Sequence, residues 1–285
     1  MNTVLACVDS HGHPSAVCDG AIWAARTLHA PLNFLQVIDE SEAHTGETRI
    51  SDLTGFESGP TRTQALDAMP YHHIVAGQSH SQQLLEGVRA RAIRCGHSLV
   101  EISLRQGKLT DALLDLSSET RMVVMGMHSH RLDSPWRQGR HHLERSLQTV
   151  KQPMLVVTKA QFDAPSAFAL AYHGGQESLH LVEAVAQCEL LQGLPCHLIH
   201  AGQRTPQIVA EMSQAAQRLA DAGFSTHLVI ESGEVDRVIS RHLSIQQLSL
   251  LVMGAFTHQG WREKLLGSTT STLLRHTPAN LLIMR

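Results

Sequence analysis

The sequence predicts an α/β protein built from two tandem units, each a doubly wound parallel sheet. Three observations carry that expectation. Short apolar runs of strand length alternate with helical patterns along the chain, which gives right-handed βαβ crossovers. The same order of elements occurs twice. At 285 residues the chain is long for one compact α/β unit and comfortable for two of about 140.

The repeat is legible residue by residue. Positions 4–9 align with 168–173, and positions 32–37 with 196–201, both 164 residues apart and the second pair each preceded by a proline, Pro31 or Pro195. Further along, positions 106–109 align with 232–235 at a spacing of 126, and 124–126 with 252–254 at 128. The drop from 164 to 126 places about 38 extra residues in the first half between its second and third strands. Residues 41–80, rich in Ser, Thr, Gly, Asp and His, are that insertion. They read as a long surface excursion, partly disordered or serving as a lid or a partner contact.

After the insertion, residues 81–94 show helical spacing with Leu84, Leu85, Val88 and Ala92 on one face. Residues 99–104 read as a strand whose alternation places it near a sheet edge. Residues 108–117 read as a helix turning Leu109, Leu113 and Leu114 inward, and 122–125 as the fourth strand. In the second half, residues 205–222 predict a helix ended by Gly223, 224–230 a strand and 234–243 a helix. The resulting boundaries are a first domain over 1–159, a linker over 160–166 and a second domain over 167–285.

The stretch with most chemical content closes the chain. Residues 248–253 form an unbroken apolar run, the pattern of a strand covered on both faces, and Gly254 ends it. A glycine there lets backbone approach a ligand without a Cβ in the way. Gly267, Ser268, Thr269 and Thr270 then open a short helix, with Arg275, His276 and Pro278 near its end. Unpaired N–H groups and clustered hydroxyls at a helix N-terminus outline a phosphate site.

Gly254, Gly267 thirteen positions on, Ser268 beside it, and the run Arg275-His276-Thr277-Pro278 before a final apolar strand together resemble the nucleotide-binding loop of the universal stress protein family. Over its full length the chain resembles a tandem member of that family, with Rossmann-like domains. The resemblance implies ATP or AMP as ligand, with Mg only alongside a nucleotide. It also implies an internal pseudo-dimer through the last strand of each half, with a homodimer of whole chains as a further association. The residues it places at the second-domain site are Ala171, Tyr172, His173, Ala201, Met253, Gly254, Thr257, His258, Gly267, Ser268, Thr269 and Thr270. At the first-domain site they are Val8, Asp9, Val37, Gly126, Ser129, Gly139, Arg140 and His141.

Each half departs from the pattern differently. The first keeps Asp9 but carries Ser129 for the middle glycine and Arg140-His141 where hydroxyl residues are expected. Arg140, His141 and His128 can instead meet an anion by charge. The second keeps the glycines and Ser268 but has His173 in place of the aspartate and Thr257 in place of the middle glycine.

Composition narrows the function classes. A net charge of −3 with 17% charged residues and no Lys/Arg cluster argues against a nucleic-acid surface. No run of 18 apolar residues and no signal-peptide pattern occurs, so a cytoplasmic protein without membrane insertion is expected. The five cysteines are scattered, and reduced, packed thiols are expected. Twenty histidines include close pairs such as His72-His73 and His141-His142, without metal-ligand spacing, so no metal site is assigned. Phosphoryl transfer needs a metal-binding carboxylate near the γ-phosphate. The second loop offers only Glu263, so no catalytic residue is assigned and no more than a weak ATPase is expected. The leading expectation is a stress-response module that binds an adenine nucleotide at the second domain. The alternative is a nucleotide-free scaffold whose degenerate pockets meet a protein partner or an apolar ligand.

Overall fold

In the computed structural model, residues 2–9, 13–38, 69–127, 138–254 and 277–285 are described, those at 69–79, 138–142 and 144 by their backbone alone. The elements run β1 (Thr3–Cys7), α1 (Pro14–Thr27), β2 (Leu32–Ile38), α2 (Met69–Arg94), β3 (Val100–Gln106), α3 (Leu109–Asp115), β4 (Thr120–Gly126), α4 (Gln138–Thr149) and β5 (Met154–Val157). They continue with β6 (Phe168–Ala171), α5 (Gly175–Ala186), β7 (Cys196–Ala201), α6 (Pro206–Asp221), β8 (Thr226–Glu231), α7 (Val235–Ile245), β9 (Leu250–Gly254) and β10 (Asn280–Met284).

All ten strands form one sheet in the order β3-β2-β1-β4-β5-β10-β9-β6-β7-β8. Each half contributes five parallel strands in the same relative order. The α/β, doubly wound class expected from sequence is the one observed. Ladder registers reproduce the repeat spacings. Val4 pairs with Leu32 and Phe168 with Cys196; Leu32 pairs with Val100 and Cys196 with Thr226; Leu5 pairs with Val123 and Ala169 with Leu251. Those equivalences are the 164, 126 and 128 positions read from the sequence.

The halves join where β5 and β10 pair antiparallel, Leu281 with Val156, Leu282 with Leu155 and Ile283 with Met154. Met154 pairs with Val123 in β4 and Leu281 with Leu251 in β9, so Leu155 and Leu282 are equivalent residues of the two repeats. They face each other at the centre of a self-complementary ladder, the arrangement an isologous two-fold interface has. Both are fully buried. Without this contact each strand would be an open edge.

Alternate strand residues feed two apolar layers, one on each face of the sheet. Val4, Ala6 and Val8 join α1, α2, α5 and α6 in one layer. Leu5 and Cys7 join α3, α4 and α7 in the other. Strands buried on both faces therefore read as unbroken apolar runs, whereas the edge strand β3 largely alternates and the edge strand β8 is only partly covered. The helices carry their signals: Pro14 opens α1, and Thr205 caps α6, its Oγ1 accepting from Ile208 N at 3.2 Å. Gly223, at φ 91°, follows the end of α6.

The linker is tied down. Phe162 lies 5.7 Å from the Trp23 ring, and its ring would stand 3.2 Å from a Cβ at position 20, a space that Gly20 leaves open. Thr158 N donates to Asn280 Oδ1 at 3.1 Å and Thr158 Oγ1 to Ala279 O at 3.0 Å. Arg121 reaches from the first half to Glu189 in the second at 2.8 Å.

Two sequence expectations are corrected. The helix expected over 81–94 begins at Met69, so residues 69–80 of the supposed excursion are helical, with Pro70 in the first turn. Leu114 does not turn inward: it is 52% exposed, because Ala112 and Leu113 already occupy the covered face of the short α3 and the next residue points outward.

Candidate functional site

In an open parallel sheet the place for a ligand is outside the carboxyl ends of the strands, where the chain order reverses. Here it reverses between β1 and β4 in the first half and between β6 and β9 in the second. Cys7 pairs with Met125, so Val8 and Gly126, one step on, stand level at the first crevice. Leu170 pairs with Val252, so Tyr172 and Gly254, two steps on, stand level at the second. Of the described residues of both predicted sites, these fall on the strand edge: Val8, Asp9, Val37 and Gly126 in one half, Ala171, Tyr172, His173, Ala201, Met253 and Gly254 in the other.

Several of these offer backbone only. Val8 and Tyr172 are 3% exposed and point into the apolar layer, while Met253 is buried in the layer opposite. Gly139, Arg140 and His141 lie in the backbone of α4. Ser129, Thr257, His258, Gly267, Ser268, Thr269 and Thr270 lie outside the described residues.

His173 sits at the turn from β6 into α5 and is half exposed, at 52% of its side chain. Its Nδ1 lies 2.8 Å from Ser178 Oγ, which also accepts from His173 N at 3.2 Å. Its Nε2 is 3.7 Å from Glu177 Oε2. Burial lowers the His173 pKa; the Glu177 carboxylate opposes this and His200 adds to it. The imidazole is thus neutral at pH 7, standing where the family resemblance expects a carboxylate. Ser, His and Glu in contact have the membership of a hydrolase triad. The geometry is that of a local brace, since Ser178 is completely buried in α5 and offers no nucleophile to a substrate.

The entrance to α5 is occupied by a carboxylate from α6. Gly174, at φ 94°, precedes the helix, and Gly175 N donates to Glu211 Oε2 at 3.2 Å. Glu211 also accepts from Gln207 Nε2 at 2.8 Å, and these hydrogen bonds hold its pKa below the usual carboxylate range. An anion at this helix N-terminus would meet that negative charge. Ser178, Glu177 and Glu211 were not singled out in the sequence. The signal for the first two was their four- and five-residue spacing from His173, which follows the end of β6.

No cysteine described near the edge offers a nucleophile. Burial, with the Asp9 carboxylate adding, pushes the Cys7 thiol up to about 12.

The pattern described as the universal stress protein family matches residues 167–285. Those residues are similar to the universal stress protein family. A universal stress protein of Synechocystis is 24% identical over 290 residues, covering all of both chains. Two solved structures share the fold over the full chain. A universal stress protein from Archaeoglobus fulgidus has a TM-score of 0.71 at 16% identity and is covered over 98% of its length. One from Pseudomonas aeruginosa, described as a putative universal stress protein, has a TM-score of 0.59 at 17% identity and is covered over 93%. No helix among the described residues is long and apolar enough to cross a membrane.

Proposed function

We propose that this chain is a universal stress protein, a cytoplasmic stress-response module that binds an adenine nucleotide, ATP or AMP, at the strand edge of its second half. It works without dedicated catalysis, and Mg enters only with a nucleotide. The observation that carries the reading is the glycine-ended β9, level with the end of β6 at the reversal of strand order, with the Gly267-Ser268 segment following in sequence. Backbone at Gly254 can approach the ligand, and Glu211 keeps the phosphates away from the start of α5. His173 supports the adenosine end through a neutral ring in place of a carboxylate. The domain boundaries at 159 and 167 and the reading of the β5–β10 ladder as an internal pseudo-dimer belong to the same proposal.

The test is calorimetry of ATP against wild type and Gly267→Asp, with circular dichroism to show retained fold. A carboxylate among N–H groups that hold phosphate should remove charged hydrogen bonds of about 1.5 to 3 kcal/mol, a loss of roughly 10- to 150-fold in affinity. Equal affinities would end the reading. Gly139→Asp, at the corresponding place in the first half, should leave this binding unchanged.

A further inference from the structure

We propose that His197, His227 and His242 form a site for a divalent transition-metal ion, with Zn2+ as the representative, at the end of the second half remote from the nucleotide edge.

The site follows from the sheet register. β7 and β8 run parallel with His197 paired to His227, so the two side chains stand side by side on one face. α7 covers that face, held by Val238, Ile239 and Leu243, and this sets His242 of its last turn over the pair. His197 Nδ1 and His242 Nε2 are 3.0 Å apart. The His197 ring centre is 5.1 Å from that of His242 and 5.3 Å from that of His227. Three imidazoles from three elements thus converge on a patch at the start of β7 and β8. Ala201, at the nucleotide edge, is four residues further along β7, or about 13 Å.

Two nitrogens on a tetrahedral ion, each bonded at 2.0 to 2.1 Å, are about 3.3 to 3.4 Å apart, so the His197–His242 pair at 3.0 Å opens by a few tenths of an ångström to exchange its shared proton for an ion. The neighbours favour the ion. Around the cluster the charged groups acting on His242 are Glu231 and Arg241, which already pair with each other. Protonating more than one ring sets positive charges against one another across these short distances. Neutral imidazole is the form that ligates metal, and the His197–His242 contact already places two ring nitrogens face to face.

Among the described residues no three side chains are arranged as a ready metal cage. The site closes on its ion: the half-buried pair binds first, and the exposed His227 turns to add the third nitrogen, with water completing the shell. The bound ion then ties β7, β8 and α7 together.

The test uses the full chain stripped with chelator and titrated with Zn2+ by calorimetry and with Co2+ by visible absorption. The chain holds twenty histidines, so the measured quantity is the difference between proteins. Wild type should bind one equivalent more than His197→Gln/His242→Gln, and His227→Gln should lose about tenfold or more in affinity for that equivalent. At a hundredfold excess over Kd, Zn2+ should raise the wild-type melting temperature by about 5 to 10 °C, and do so much less in the double variant. Equal stoichiometry in wild type and a folded double variant overturns the site. Because the double change removes the packed pair, His227→Gln is the decisive second arm: unchanged Zn2+ affinity there overturns the three-histidine assignment even if the double variant fails to fold.

Discussion

Leu155 and Leu282 offer the sharpest test of how the two halves are joined. They are equivalent in the repeat, paired with each other across the antiparallel ladder and fully buried in one apolar layer. Truncating either to alanine removes buried carbon from the line where the halves meet, where backbone on both sides limits collapse into the space. A cost of about 2 to 5 kcal/mol is expected for each, toward the upper end if the space stays open. The two residues are direct cross-strand partners, so the second truncation removes contacts that the first has already lost. The double variant should cost less than the sum by about 0.5 to 3 kcal/mol. Urea unfolding followed by both fluorescence and circular dichroism gives the three free energies and shows whether the halves still unfold together. Strict additivity, or single costs below about 1 kcal/mol, would refute the argument that this pair is the packed centre of the junction.

Two further outcomes are expected. Residues 167–285 expressed alone expose β10, all five of whose residues are buried in the full chain, and should dimerise through it with Leu282 opposite Leu282; a stable monomer by light scattering would count against this. The histidine cluster should make stability acid-sensitive in metal-free protein. His197 and His242 have folded pKa values below the ordinary 6.5, so between those values and about 6.5 the unfolded chain binds more protons, and the contribution is complete above that window and lost as pH falls through it. Melting temperatures from pH 8 to 5 should therefore fall more steeply for wild type than for His197→Gln/His242→Gln, and parallel profiles would show that the cluster does not titrate with folding.

The fold was legible in the sequence because its signals are periodic and repeated. Runs such as Leu250–Gly254 are covered on both faces and apolar throughout, and the three repeat spacings are the ladder registers themselves. Even the edge position of β3 was visible in its alternation. What was not legible depends on other parts of the molecule. The first turns of α2 carry the polar, histidine-rich end of the insertion, where no apolar stripe announces a helix; the helix is anchored further along by Leu85, Val88 and Ala92. Leu114 points outward because it lies five positions after Leu109 and next to Leu113, about 140° and 100° around the helix from them. At the site, Gly254 and His173 could be placed by spacing, but the Glu211 carboxylate at the start of α5 is a contact across 36 residues and has no local signature.

The repeat also shows where the halves have parted. The self-complementary ladder of β5 and β10 is symmetric in kind, since each pairing sets an apolar residue against an apolar one and the two outer pairings exchange under the repeat. Elsewhere the equivalents differ in chemistry. Asp9 corresponds to His173, and Gln36 of β2 to His200 of β7, whose Nδ1 lies 3.1 Å from Tyr172 O. Asn280 corresponds to Pro153, which has a backbone carbonyl but no side-chain acceptor to offer. Asn280 is 2% exposed and holds the backbone N–H of Thr158, the first residue after β5. A homodimer would have to carry both members of every such difference twice, at related positions. A fused chain does not. On the pseudo-dimer reading proposed above, one chain keeps the symmetric junction of the ten-stranded sheet while each crevice and each strand end is free to specialise. One half sets a neutral histidine beside a glycine-ended strand; the other keeps an aspartate, with Arg140 and His141 further along the sequence.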